Sequence, residues 1–184
     1  MGSKWIDGKL IGKLETSNSL YDVTCDWLER TPIQGSVYGS TNDEKNVDDF
    51  IADYLLAHKK LYPDTNKDAV NFFEEESSLR RRRAGLVFIE SYRELPLLAW
   101  PRKLISTLIE LEQSMILWRT SHARMVERMI GRRIGTGGSS GVDYLDMTTK
   151  YRVFVDLWAV RSILIKKDAL PELKNKEFYE FRGE

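Results

Sequence analysis

The sequence predicts an all-α protein, a helical bundle, and three observations support this class. Apolar residues recur with the 3.6-residue period of amphipathic helices over most of the chain. The alternation of β-branched residues that is typical of strands is nearly absent. The chain has 184 residues, of which 42% are hydrophobic, so a single domain with a substantial core is expected.

The first two helices are predicted from their boundaries. A short helix is expected over about 19–30, followed by a loop with proline and glycine through residue 42. A second, amphipathic helix is expected over about 46–62, closed by Pro63. His58 falls near the end of that helix beside two lysines, so we interpret it as a structural residue of an exposed C-terminal turn.

A third helix is predicted over about 67–94, and it contains two charge runs. The acidic run Glu74-Glu75-Glu76 precedes the basic run Arg80-Arg81-Arg82-Arg83. This order favours solvent-exposed pairs one turn apart. The acidic neighbours also cancel the field of the arginines, which argues against a phosphate-binding patch.

The fourth helix is the most informative segment, and it is predicted to begin near Pro101 and to end before Gly131 or Gly135. Its apolar positions are spaced alternately by four and three residues, as in a helix buried along one face of a bundle. This seam consists of Leu104, Leu108, Leu111, Met115, Trp118, His122, Met125 and Met129. His122 stands where a leucine is expected, so its imidazole should point into an apolar pocket.

A single seam histidine is compatible with a hydrogen-bonded core residue or with a metal ligand. Zinc coordination by three or four ligands is implausible, because no second histidine is near and Arg124 and Glu127 fall on other faces of the helix. A haem requires only one axial imidazole in a dry cavity rich in methionine and aromatic residues. His122 therefore suffices for haem.

A glycine-rich loop follows this helix directly, at Gly135-Thr136-Gly137-Gly138-Ser139-Ser140-Gly141. Backbone N–H groups and short hydroxyl groups in such a loop suit an anionic or zwitterionic ligand such as an amino acid, although a flexible surface linker has the same composition. A nucleophile elbow is rejected, because a long helix and not a strand precedes the loop. A Walker A loop is rejected because Gly-Lys-Ser/Thr is absent.

Composition excludes several classes. The 28 basic residues balance the 28 acidic ones, which removes the charge typical of nucleic-acid binders, and no apolar run is long enough to cross a bilayer. No secretory signal is visible at the N-terminus, so a cytoplasmic location is expected. Cys25 is the single cysteine, so an internal disulfide or a cysteine-built metal site is excluded.

The helix and the loop together resemble tryptophan 2,3-dioxygenase. The resemblance rests on Trp118-Arg119-x-x-His122-x-x-Met125-Val126-x-Arg128-Met129-Ile130-Gly131, then the glycine loop, then Tyr144-Leu145. It extends to Trp27-Leu28-Glu29-Arg30-Thr31-Pro32, to Tyr151-x-Val153-Phe154-Val155-Asp156-Leu157 and to Ala159-Val160-Arg161. It therefore covers roughly residues 19–170, and the charged middle is the least similar part.

The resemblance implies a haem b protein in which His122 is the proximal iron ligand and Trp118 and Tyr144 lie near the haem. It places Thr136 against the amino-acid end of the substrate, with Gly135, Gly137, Gly138 and Ser139 in the same substrate-binding loop. The implied reaction inserts both atoms of O2 across the indole C2–C3 bond of L-tryptophan to give N-formylkynurenine, the first step of the kynurenine pathway. The haem would supply most of this chemistry, and the protein would orient the reactants and set the polarity of the site.

Two departures from the family pattern stand out. Members of the family are much longer, and the half that precedes the segment matching Ser19 carries the distal histidine, the phenylalanine-lined indole pocket and the arginine for the substrate carboxylate. None of these can be matched to residues 1–18, and His58 lies in a different context. Asp146 replaces an arginine that is common after Tyr-Leu, so one local polar contact is expected to be changed or inverted.

We therefore predict the proximal half of a dioxygenase that is inactive without its missing half. The expected division is a lead-in over 1–18, a haem-binding helical domain over 19–170 and a tail over 171–184. The missing half could come from a companion chain, from a lost upstream piece or from a neighbour in a homo-oligomer, a tetramer by resemblance. Alternatives are a related haem-dependent oxygenase or hydroxylase for another aromatic amino acid, and a non-catalytic haem-binding or partner-binding module.

Overall fold

The computed structural model describes residues 4–6, 9–11, 19–74, 76–133 and 141–180. The helices are α1 (Leu20–Glu29), α2 (Asp43–Leu61), α3 (Asn66–Phe73), α4 (Ser77–Ser91), α5 (Pro96–Ile130), α6 (Val142–Thr148) and α7 (Val155–Ala159). Three short 3-10 turns lie at Val160–Ser162, Lys167–Ala169 and Lys176–Tyr179. The predicted all-α class is confirmed. A short antiparallel pair, β1 (Lys4–Ile6) with β2 (Lys9–Ile11), was not predicted.

Helix α4 forms the centre of the core. All of its residues from Ala84 to Glu90 are buried, and it packs against α1, α2, α3 and α5. The approach of α1 to α4 is closest at Gly85, where an added Cβ would lie 2.5 Å from the carbonyl oxygen of Leu28. Glycine at this position therefore permits the contact between the two helices.

The predicted third helix is wrong in one respect, because the chain forms two helices, α3 and α4, where one was expected. The break lets α3 turn its last residues, Phe72 and Phe73, into the core, where both are buried. The Arg83 guanidinium donates a hydrogen bond of 2.9 Å to the Phe72 carbonyl oxygen, which the end of α3 leaves without a helical partner. A single continuous helix would lose both the burial of the two phenylalanines and the hydrogen bond from Arg83.

The arginine run also differs from expectation, since three of its members pair with other elements of the fold. Arg80 and Arg81 pair with two aspartates of α2, Asp48 and Asp43. Arg83 forms an ion pair of 3.0 Å with Asp156 of α7. These arginines therefore connect α4 to its neighbours, and the interpretation of the run as a solvated face was wrong.

Buried tyrosine hydroxyls hold the C-terminal segment to the core. Tyr54 of α2 donates to the Ile163 carbonyl at 3.0 Å, and Tyr92 donates to the Pro171 carbonyl at 2.6 Å. Tyr179 donates to the Pro32 carbonyl at 2.8 Å and accepts from the Gly35 N–H at 2.8 Å. Burial raises the pKa of Tyr54 to about 12. The neutral phenols thus act as hydrogen-bond donors to backbone carbonyls.

Helix α5 begins earlier than predicted, at Pro96, so Pro101 lies inside it. A proline in the first turn of a helix lacks only an N–H that would have no helical partner there, which accounts for Pro96 as the start. The buried positions of the first half of α5 are Leu98, Ile105, Leu108, Ile109 and Glu112.

Glu112 is the polar member of that stripe and is only 3% exposed. Its carboxylate accepts hydrogen bonds from the backbone N–H groups of Val153 and Phe154, and from the Trp158 indole N–H at 2.6 Å. Two of these donors lie just before α7 and the third lies within it, so one side chain of α5 fixes the position of α7.

Replacing Glu112 with Ala should leave these buried donors without partners and lower the free energy of unfolding by about 3 kcal/mol. Glu110→Ala, at an exposed position of the same helix, is the matched control and should change it little. Urea unfolding monitored by circular dichroism measures both. Equal stability of the two variants would show that the Glu112 contacts contribute nothing.

Candidate functional site

The second half of α5 carries the predicted site and extends beyond the core. Several apolar side chains of the predicted seam are exposed in this half, namely Met115, Trp118, Met125 and Met129, and Leu111 just before it is exposed as well. Trp118 is 65% exposed and Met129 is 74% exposed. The prediction of a seam buried along its length is therefore wrong beyond Leu108, because in the described part of the chain only α6 and nearby segments reach this half of the helix.

His122 lies half-buried on this helix, one turn after Trp118. The centroids of the imidazole and indole rings are 5.3 Å apart, and the ring planes are tilted by 37°. The indole thus packs against the imidazole and restricts its orientation. The described residues do not enclose His122 in the expected apolar pocket. They form an open apolar face, on which the side chains of Met115 and Met125 are exposed.

Helix α6 packs against this half of α5 and carries Tyr144, which is exposed. Ala123 of α5 and Val142 of α6 are fully buried. The Arg119 guanidinium donates to the carbonyl oxygens of Thr148 at 3.2 Å and Tyr151 at 3.3 Å. It therefore caps the C-terminal end of α6, because these carbonyls lie at and just beyond its last turn.

Ion pairs connect the two sides of the glycine loop. Arg132 precedes the loop and Asp143 follows it, and their side chains pair at 2.7 Å. Arg124 of α5 pairs with Asp146 of α6 and with Glu127 at 2.6 Å. The hydrogen bond to Asp146 raises the pKa of the Arg124 guanidinium. These ion pairs thus hold together the residues that precede the loop and those that follow it.

The predicted substrate-binding residues Gly135, Thr136, Gly137, Gly138 and Ser139 lie outside the described residues. The structure therefore brings together Trp118 and His122 by direct ring contact, and it places Tyr144 on the adjacent helix.

His58 differs from its predicted surroundings, being only 1% exposed and not part of an exposed turn. Its Nδ1 lies 3.3 Å from the Asn66 side-chain oxygen, and its ring packs on Tyr62 at 5.4 Å. The two lysines after it are exposed, but the imidazole itself turns into the core. Its partners account for it as a structural residue of the α2–α3 junction.

Comparison with known sequences identifies the family. The sequence profile of the tryptophan 2,3-dioxygenase family matches residues 74–164. A tryptophan 2,3-dioxygenase of Sorangium cellulosum is 42% identical over 207 aligned positions, which cover 94% of this chain and 49% of the relative. Tryptophan 2,3-dioxygenase 2 of Ralstonia nicotianae is 43% identical over 193 positions, covering 86% of this chain and 51% of the relative. The chain belongs to the tryptophan 2,3-dioxygenase family.

A third relative covers a shorter region at higher identity. The tryptophan 2,3-dioxygenase-like protein of Xanthomonas campestris is 60% identical over 107 residues, which are 58% of this chain and 40% of the relative. The chain thus spans about half the length of the curated relatives it matches. None of the helices in the described part of the chain is both long and apolar enough to cross a membrane.

The donor set of the site fits one side of a haem. No group of three or more histidine, cysteine, aspartate or glutamate side chains that could hold a metal ion occurs within the described residues. A haem asks the protein for as little as one axial imidazole, and half-buried His122 lies among thioether and indole groups that suit a porphyrin face. The residues of this face are therefore compatible with a haem held by one imidazole.

Sequence reasoning missed two residues that position the site, Glu112 and Arg119. Glu112 follows the buried Leu108 by one turn, so the argument that singled out His122 as a polar residue in an apolar stripe applied to it equally. Arg119 gave no such signal, because its acceptors are backbone carbonyls that only the fold brings near.

Replacing Arg119 with Ala should loosen α6, because the carbonyls at its C-terminal end lose their donor. We expect faster amide hydrogen exchange over residues 142–151 and unchanged exchange in α4. Arg128→Ala, at an exposed position of the same helix, is the matched control. Unchanged exchange in the Arg119 variant would mean that α6 is held by other contacts alone.

Proposed function

We propose that this chain supplies the proximal haem half of a tryptophan 2,3-dioxygenase that is completed by the other half of the enzyme. His122 is the axial ligand of the haem iron. The observation that carries the proposal is the His122 imidazole held against Trp118 on an apolar helix face that the described chain leaves open. Membership in the family and coverage of about half of the relatives' length support it.

The open face of α5 is where the missing half belongs in this proposal. Met115, Trp118 and Met125 are exposed here, and leaving large apolar side chains together in water is unfavourable. A companion chain, an upstream piece or a neighbour in a homo-oligomer would cover them and enclose the haem. The tetramer that the family resemblance implies is one such assembly, and a cytoplasmic location belongs to the same proposal.

In the complete enzyme both atoms of O2 are inserted across the indole C2–C3 bond of L-tryptophan, giving N-formylkynurenine for the kynurenine pathway. Haem b, when bound, supplies the oxygen chemistry. This chain's residues orient the reactants: Trp118 restricts the His122 ring, and Tyr144 contributes an aromatic wall. Thr136 and the neighbouring loop residues Gly135, Gly137, Gly138 and Ser139 donate hydrogen bonds to the zwitterionic end of the substrate.

The positions of the loop ends support the substrate-binding role. Arg132 and Asp143 join the residues on either side of the loop, so binding there does not have to bring the two ends of the loop together. The Arg124–Asp146 pair adds a second connection between the same two helices. Asp146 stands where the family commonly has arginine. In this chain its negative charge pairs with Arg124, and this ion pair holds α6.

Loss of the axial ligand tests the cofactor assignment. Hemin added to the untagged chain should give a Soret band typical of protein-bound haem, and dithionite should shift it. His122→Ala should abolish this band, and added imidazole should restore it in part by occupying the vacated position. His58→Gln, which changes the other histidine, should retain the band. A Soret spectrum unchanged in His122→Ala would show that another group holds the iron.

Complementation tests the substrate assignment. The chain alone should not convert L-tryptophan, whereas a mixture with the preceding half of a longer relative should produce N-formylkynurenine. Thr136→Ala in the complete complex should raise KM about tenfold, with unchanged haem content, because a hydrogen bond to a charged substrate group is lost. Thr120→Ala, at an exposed position of α5, is the control and should leave KM unchanged.

The outcomes separate the alternatives. Turnover by the isolated chain would contradict the need for a second half. Oxidation of L-tyrosine instead of L-tryptophan by the complex would identify another aromatic oxygenase of the same superfamily. Haem uptake without any reaction in the complex would identify a non-catalytic haem-binding module, and loss of haem in the Thr136 variant would assign the loop a structural role.

A further inference from the structure

A second cavity lies away from His122, at the junction of α4, α5 and the C-terminal segment. It has a volume of about 520 Å³, which is within the range of small-molecule sites. Its apolar walls are formed by Leu95, Pro96, Leu164, Ile165, Leu170 and Leu173. The cavity is therefore far larger than a single ordered water requires, and its lining combines aliphatic side chains with polar and charged ones.

Two polar side chains that line this cavity, Glu90 and Ser91, each have a buried oxygen without a hydrogen-bond partner among the described residues. Glu90, in the last turn of α4, lines the cavity and is only 6% exposed. Its Oε1 atom is buried and has no hydrogen-bond partner among the described residues. Buried carboxylate oxygens are normally hydrogen-bonded or paired with a cation, because desolvation of such a group without compensation is costly. Glu90 thus requires a partner that the described chain does not provide.

The other charges of the cavity largely cancel one another. Glu94 is paired with Lys167 at the rim, and Lys176 lies 3.6 Å from Glu180. Arg93 is exposed to solvent, where water and salt screen its charge. The Glu90 carboxylate is therefore the charge that a bound molecule would meet inside the cavity.

We propose that this cavity binds a small protonated amine with an apolar body. The ammonium group donates a hydrogen bond to Glu90 Oε1, and the apolar body packs against the aliphatic walls. This assignment follows from two properties of the lining, a buried carboxylate oxygen without a partner and a set of aliphatic side chains in the same cavity. The Ser91 hydroxyl of the lining also lacks a partner among the described residues, but it is neutral, so Glu90 is the charged acceptor. The site is independent of haem and of the proposed dioxygenase reaction.

Calorimetric titration of the 184-residue chain with benzylammonium chloride at neutral pH tests this proposal. The wild-type chain should bind the cation, and Glu90→Gln should bind it at least about tenfold more weakly, because a charge-assisted hydrogen bond is lost. Glu94→Gln, which removes an exposed carboxylate of the same rim, is the matched control and should bind as the wild type does. Benzyl alcohol, which has the same body without the charge, should bind weakly.

Three results would overturn the proposal: no binding of benzylammonium to the wild type, equal affinity of wild type and Glu90→Gln, or equal affinity for benzyl alcohol. Leu170→Trp provides a second variant that fills the apolar wall without changing Glu90. It should weaken binding even if Glu90→Gln proves unfolded by circular dichroism. Undiminished binding to Leu170→Trp would place the cation elsewhere.

Discussion

The length of helix α5 is the constraint on which the rest of the structure depends. Its 35 residues extend for about 50 Å, whereas the core of the described chain covers only its first half. The first half contributes Ile105, Leu108 and Ile109 to the core, and the second half presents apolar side chains to solvent. One helix therefore connects the core to an apolar surface that the described residues leave exposed.

Polar contacts, more than apolar ones, determine the arrangement around the second half of α5. Glu112 fixes the start of α7 from inside the core, and Arg119 caps α6 from the outside. The loop between α5 and α6 is then tied at its flanks by Arg132 and Asp143. Such contacts are directional, so they help to define how α6 and α7 lie against α5.

The sequence predicted the helical class and the first two helices, because hydrophobic periodicity is a local signal. It also singled out His122 as a polar residue in an apolar stripe, and the role of this residue stays a prediction. It missed the division between α3 and α4, since the burial of Phe72 and Phe73 depends on tertiary packing. Neighbouring lysines suggested an exposed His58, but the partners Asn66 and Tyr62 draw its ring inward. Exposure of Met125 and Trp118 could not be predicted, because an apolar stripe does not specify whether the partner surface lies in the same chain.

The proposed function depends on one claim, that the His122 imidazole holds a haem iron. Electron paramagnetic resonance of the ferrous nitrosyl haem complex tests it most directly, using chain prepared with nitrogen-15 histidine. The account predicts that isotope labelling changes the nitrogen hyperfine splitting from the axial ligand, both in the wild type and in a His58→Gln background where His122 is the remaining histidine. A splitting that does not respond to the label would contradict it, because the iron would then be held by a group other than histidine.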